Sequence, residues 1–124
     1  MIGLFKVCDK LKKVYNLLGI AQRAGKLSAG TMACKNSLTR HRAVLLILSN
    51  DIADNSKDEL LASSQRHGIP AIALGSKYEL GTALGKAYRV ALTINDIGMA
   101  KAVLQELAEC GEEIKTMGVV EWPK

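Results

Sequence analysis

Six consecutive apolar residues, Ala43-Val44-Leu45-Leu46-Ile47-Leu48, constrain this chain more than any other feature. The run is too short for a helix and far too short to cross a bilayer. It also lacks polar alternation, so it reads as a β-strand covered on both faces. Such a strand needs helices above and below it, and the flanking segments supply them. Leu11, Val14, Leu17, Leu18 and Ala21 recur at helical spacing, with Gly25 placed to end that helix. A second helix is expected from Gly30 to about Arg40, burying Ala33, Ser37 and Leu38.

Beyond the central strand the pattern repeats. Ser49-Asn50-Asp51 supplies turn residues, and Ser56 with Glu59 forms a capping-box signature for a helix reaching His67, where Gly68-Ile69-Pro70 stops it. Ile69 to Leu74 is a second apolar strand. Ser76 and Glu79 repeat the capping box and open a short helix with Leu80, Ala83 and Leu84 inside. Arg89 to Ile94 reads as a third strand, and Asn95 as the cap of a last helix lined by Ile97, Ala100, Leu104 and Leu107. Strands alternating with helices predict an α/β chain: a three-layer α/β/α sandwich on a mixed, mostly parallel four-stranded sheet. Residues 1–124 then form one domain, with a core over about 10–108. Residues 110–124 are a tail divided between an edge strand and disorder, the stretch from Cys110 to Glu113 having loop character.

At 124 residues there is room for one ordinary domain. The N-terminus lacks the basic segment and long apolar core of a secretory signal, and Cys8, Cys34 and Cys110 suggest neither a disulfide framework nor a zinc site. A cytoplasmic protein with reduced thiols, and with no membrane partner, is the expectation. The charge is uneven. Residues 1–50 carry nine Lys or Arg against Asp9 alone, a balance of +8, whereas residues 51–124 carry eight basic and eleven acidic residues, a balance of −3. Clustered positive charge attracts a polyanion through phosphate neutralisation and counterion release, although a solvated surface has the same composition.

Catalytic patterns are missing from the sequence. His41 sits between two arginines and His67 precedes a helix-ending glycine, both ordinary surface positions. No Gly-x-Ser-x-Gly elbow occurs, and Gly25-Lys26 is followed by Leu27 rather than the hydroxyl that a phosphate-binding loop needs. Asp51 and Asp54 lie in a turn that opens a helix, where acids serve as caps, and no third metal ligand clusters with them. The expectation is a non-enzyme without cofactor or metal.

Two loops suit binding. In the first, Gly25 to Thr31, the backbone enters the second helix. Unpaired amides and the positive helix pole there favour phosphates and base acceptors, and Gly30 permits close approach. Lys26 and Lys35 add charge. The second, Leu74-Gly75-Ser76-Lys77, again joins a strand end to a helix start, and in an α/β sheet both can share one edge. No strand-borne aromatic pair is available to stack bases, so an RNA would be gripped through its folded backbone. Ordinary helix-entry turns have the same features.

Gly19-Ile20-Ala21-Gln22-Arg23-Ala24-Gly25-Lys26-Leu27-Ser28-Ala29-Gly30 resembles the opening of bacterial YlxQ-like proteins, within the ribosomal L7Ae superfamily that includes L30e proteins and kink-turn binders. The similarity continues through Leu48-Ser49-Asn50-Asp51, Ser76-Lys77-Tyr78-Glu79-Leu80-Gly81 and Gly85-Lys86, covering roughly residues 10–108. The resemblance implies an α/β/α sandwich that binds sharply bent RNA without catalysis. It also implies contacts from the second helix's N-terminus and from the loop before the short helix. By position it implies Gly25, Lys26, Gly30 and Thr31 in the first element, with Ser76 and Lys77 in the second. Strong kink-turn binders carry Asn-Glu and then a lysine after the glycine pair. Here Met32, Ala33 and Asn36 stand in those places, with Lys35 one position early.

The expected function is therefore a non-catalytic, ribosome-associated protein whose partner is ribosomal or other kink-turn-like RNA. Two alternatives share the fold. One is a protein-interaction module that has lost RNA contact, motivated by Met32 and Ala33. The other is the recognition domain of an RNA-modifying enzyme whose chemistry lies on another polypeptide.

Overall fold

The computed structural model describes residues 9–110 and 115–116. Its elements are α1 Asp9–Arg23, β1 Leu27–Ala29, α2 Thr31–Thr39, β2 Leu45–Leu48, α3 Asp54–Arg66, β3 Ala71–Ala73, α4 Lys77–Ala83, β4 Ala91–Ile94, α5 Ile97–Cys110 and β5 Lys115–Thr116. The strands form one mixed sheet in the order β1-β4-β2-β3-β5.

Side-chain alternation along β2 builds the three layers. Leu45 and Ile47 point into a core shared with Val14 and Leu18 of α1, Leu80 of α4 and Val103 of α5. Leu46 and Leu48 point the other way, against Leu38 of α2 and Leu60 of α3. All four β2 residues are fully buried, as an apolar run without alternation requires. The α/β/α sandwich expected from the sequence is the one observed.

Its pairing differs from the expectation. There are five strands rather than four, and the sheet is not mostly parallel: only β2 and β3 run parallel. The β1–β4, β2–β4 and β3–β5 pairs are all antiparallel. The cause is the return path after β3. Helix α4 has only seven residues, and the following segment doubles back until the Arg89 amide donates to the Lys77 carbonyl at 2.9 Å. The chain thus re-enters the sheet at the end where it left, and β4 must run backwards. In the tail, Lys115–Thr116 is the edge strand, paired to Ala73 and Ile72, while residues 111–114 and 117–124 lie outside the described residues. Cys110, expected in a loop, ends α5.

Local signals were realised unevenly. Gly25 ends α1 at φ 74°, with its own amide donating to Gln22 (3.1 Å) and the Lys26 amide to Ala21 (2.8 Å), the paired bonds of a Schellman turn. The Ser76–Glu79 capping box forms: Ser76 Oγ accepts from the Glu79 amide at 3.1 Å, and Glu79 Oε1 from the Ser76 amide at 2.7 Å. The Ser56–Glu59 box does not. Helix α3 begins earlier, at Asp54, with Ala53 as an uncapped N-cap. The chain leaving β2 is pinned there by the Asn50 amide bonding to Gly75 and by burial of Ile52, so tertiary contacts set the start. Asp96, not Asn95, caps α5, its Oδ2 accepting from the Met99 amide at 2.8 Å. Helix α2 buries Cys34 with Ser37 and Leu38, leaving Ala33 half-buried. No helix among the described residues is long and apolar enough to cross a membrane.

Candidate nucleic-acid interface

Strand directions decide which loops meet. β1, β2 and β3 finish where β4 starts: Ala29 pairs with Leu92, Leu48 with Ala91, and Leu48 with Ala73. The turn at Gly30, the exit at Asn50 and Asp51, and the turn Gly75-Ser76-Lys77 therefore share one end of the sheet. With two strands between β1 and β3, the Gly30 and Gly75 turns stand roughly 14 Å apart at ordinary strand spacing.

Gly30 is the N-cap of α2 at φ 103° and ψ 154°, a conformation suited to glycine. Its amide donates to the Ala91 carbonyl at 2.9 Å, which fixes the helix start against β4. No side chain caps α2, and its first turn holds no acid. The amides of Thr31, Met32 and Ala33 thus project from the positive pole without an acceptor inside the helix. Met32 is 70% exposed, and it presents a thioether to solvent at this pole.

The second turn is built differently. Its amides are already committed, Ser76 and Glu79 to each other's side chains and Lys77 to Asp51 Oδ1 at 3.0 Å. The sequence suggested two similar helix-entry sites, but of these two only the one at α2 is uncapped. The Gly75 turn contributes charge instead. Lys77 Nζ lies 5.4 Å from the Tyr78 ring centre and 5.6 Å from that of Tyr88, and the two rings meet edge-on at 6.4 Å. Asp51 ties the exit of β2 to the Gly75 turn. Desolvation, the largest single cause, raises its pKa, but hydrogen bonds from Ser49 and from the Lys77 and Asp51 amides, with the Lys77 charge, together outweigh it and hold Asp51 below the usual carboxylate value.

Two glycines shape this end. Gly75 has φ 63°, and a Cβ there would lie 2.5 Å from the Tyr15 hydroxyl, so α1 packs directly beneath the turn. At Gly81 a Cβ would lie 2.4 Å from Tyr88 Cα, so only glycine lets the returning chain press onto α4 and present Tyr88.

The structure therefore divides the sequence-predicted residues. Gly30, Thr31, Met32, Ala33, Gly75, Ser76 and Lys77 come together. Gly25 and Lys26 do not. They precede β1 at the opposite end of the sheet, where the Asn95 amide donates to the Lys26 carbonyl at 2.8 Å and Lys26 Nζ lies 3.8 Å from Asp96. Lys35 and Asn36 follow in the second turn of α2. Asn36 is exposed, and Lys35 pairs with Glu59 of α3 at 2.9 Å, which offsets part of its charge. Sequence reasoning missed Asp51 as a bridge, and Tyr88 and Arg89 as neighbours of Lys77. Gly81, four residues after Lys77, was the available signal for close backbone approach. No group of three or more metal-capable side chains occurs among the described residues.

Relatives share this framework. The chain is 33% identical over 98 residues to the RNA-binding protein YlxQ of Enterococcus faecium, covering 79% of this chain and 93% of that protein. It is 28% identical over 93 residues to the Bacillus subtilis protein of the same name, covering 75% and 93%. A solved protein of unknown function from Bacillus halodurans superposes with a TM-score of 0.73 at 30% identity, covering 77% of this chain and 97% of the other. The Giardia lamblia 15.5kD RNA binding protein has the same fold, with a TM-score of 0.65 at 20% identity and coverage of 85% and 90%. Residues 12–104 match the ribosomal protein L7Ae/L30e/S12e/Gadd45 family, and with the sandwich and the converging turns in place, the chain belongs to that family.

Proposed function

We propose that this protein is a non-catalytic RNA-binding protein of the cytoplasm that grips structured, sharply bent RNA at the end of the sheet where α2 begins. One observation carries the reading: the uncapped positive pole of α2 shares one end of the sheet with Lys77, roughly 14 Å away at ordinary strand spacing. Backbone amides and a lysine recognise phosphates and acceptor edges without needing an extended single strand. The +8 balance of residues 1–50 supplies the long-range attraction. The names of the YlxQ relatives support RNA as the ligand class.

Ribosomal RNA, free or in the ribosome, is the proposed partner. Met32 lacks the amide, Ala33 the carboxylate and Asn36 the ammonium group found at these places in strong kink-turn readers, so recognition rests on shape more than on base edges. A bidentate base contact discriminates by about 1–3 kcal/mol, and that contribution is missing here. A protein-interaction reading is favoured by one specific feature, the 70% exposure of Met32 in the first turn of α2.

The test is a salt titration of affinity for a kink-turn RNA and for a ribosomal RNA fragment. Lys77→Ala is expected to weaken both and to reduce the salt slope by about one unit, as loss of one phosphate contact does. Lys26→Ala, at the opposite end, is expected to leave both unchanged. Salt-independent binding, or equal effects of the two substitutions, would refute the assignment. Absence of RNA binding together with a reproducible protein partner would favour the interaction module.

A further inference from the structure

A groove of about 670 Å³ runs between α1 and α4, next to the proposed interface but on the outer helical layer. Its volume falls within the range of small-ligand sites. Gly19 and Ala83 lie at the close crossing of the two helices, where a Cβ on Gly19 would stand 3.0 Å from the Ala83 carbonyl oxygen. Ile20 and Tyr78 form apolar walls although they are 46% and 59% exposed. Two large apolar side chains left open beside a cavity mark a surface that something covers.

The electrostatics select an occupant. Arg23 lines one end of the groove, and Lys77 Nζ lies against the Tyr78 ring at the other. Lys12 stands one helical turn before Asn16 and two before Ile20 on the same exposed stripe of α1. Glu79 is the one acid lining the groove, and its Oε1 already accepts from the Ser76 amide. Tyr15 remains neutral, its pKa pushed up to about 12 by burial and then by Glu79, so it adds an aromatic wall without charge. A basic rim around an aromatic and aliphatic slot suits a base on a phosphate chain.

We propose that the α1–α4 groove holds an unpaired nucleotide of the bound RNA, its base against Tyr78 and Ile20 and its flanking phosphates near Lys12 and Arg23. The proposal rests on the RNA-binding reading above and extends it. The ligand is then a folded RNA with a single-stranded segment leaving the fold past Lys77. Tyr78 faces both Lys77 and the groove, which makes the two surfaces continuous.

The full chain is to be tested against one RNA hairpin with a bent internal loop, made with and without an unpaired six-nucleotide extension. The extension is expected to tighten binding about tenfold, in line with stacking of one base on an aromatic side chain. Ile20→Glu alters an exposed position, so folding should survive, as circular dichroism can verify. It is expected to abolish the gain from the extension while leaving affinity for the plain hairpin within about twofold. Thr82→Glu, on the α4 side, is expected to do the same.

An extension that brings no gain, or a gain that survives both substitutions, overturns the groove assignment while hairpin binding stands. Loss of binding to every RNA by the unsubstituted protein overturns the functional reading itself. NMR shifts at Gly19 and Ile20 on adding a glutamate decapeptide, but not on adding a six-nucleotide oligoribonucleotide, would make the occupant an acidic protein segment and reject the proposal.

Discussion

Asn95 shows how one side chain acts on several elements. Its Oδ1 accepts from Ser37 Oγ of α2 at 2.6 Å and from Thr93 Oγ1 of β4 at 3.2 Å, while Nδ2 donates to Ser28 Oγ of β1 at 3.0 Å. Ser37 is buried, so Asn95→Ala would strand its hydroxyl, while buried Thr93 would keep only its contact with Cys34. The expected loss is about 1–3 kcal/mol per orphaned group, read as a lower urea midpoint with an unchanged slope. Tyr15 has the opposite character: its buried hydroxyl finds no partner. Tyr15→Phe is therefore expected to leave stability near neutral pH unchanged or slightly raised.

Alkaline pH separates the Tyr15 variants further. In the folded protein Tyr15 keeps its proton up to about 12, from an ordinary value of 10.0. Burial, partly countered by a Thr93 hydrogen bond, likewise pushes Cys34 from 9.0 to about 12. The unfolded chain releases both protons earlier, so stability should fall as pH rises from about 9 toward 12. Urea titrations across that range should give a shallower fall for Tyr15→Phe, because only the cysteine's share remains among these two groups.

Among the elements, helix starts best separate local from tertiary control. Ser76 and Ser56 carry the same sequence signature, yet only Ser76 makes the reciprocal bonds. Ser76→Ala should cost about 1 kcal/mol and Ser56→Ala less than about 0.5, compared by chemical denaturation. Equal costs would mean that α3 begins where its cap motif stands rather than at Asp54. The Gly25 turn was legible because the αL conformation that ends a helix is a local preference of glycine. The start of α3 was not, since the bond from Asn50 to Gly75 that holds it spans 25 residues of chain.

For the whole molecule, burial of β2 on two sides is the organising fact. Ile47→Ala and Leu46→Ala empty opposite cores, one under α1, α4 and α5 and one under α2 and α3. Each should cost about 2–5 kcal/mol in denaturant unfolding. A much smaller loss at Leu46 would mean that the α2–α3 layer covers the sheet poorly. The same architecture explains the mixed outcome for the site. Gly30 and Gly75 each open a helix, Gly75 after a strand, a position that in an α/β sheet can bring both to one edge, and they share it. Lys26 was grouped with Gly30 because they are four residues apart, but a three-residue extended strand carries them to opposite ends of the sheet.

By itself the sequence determined the five helices and three inner strands to within a few residues, the two-sided burial of the central strand, the α/β/α class, the Gly25 turn and the Ser76 cap. These follow from side-chain period, backbone preference and hydrogen bonds between near neighbours. Tertiary structure alone decided the direction of β4, the bonding of the Asn95 side chain to α2, β1 and β4, the loss of α4's free amides to Asp51 and the capping box, and the gathering of Lys77, Tyr78 and Tyr88. Each of those depends on a short helix turning the chain back on itself, a long-range closure that no local pattern of residues encodes.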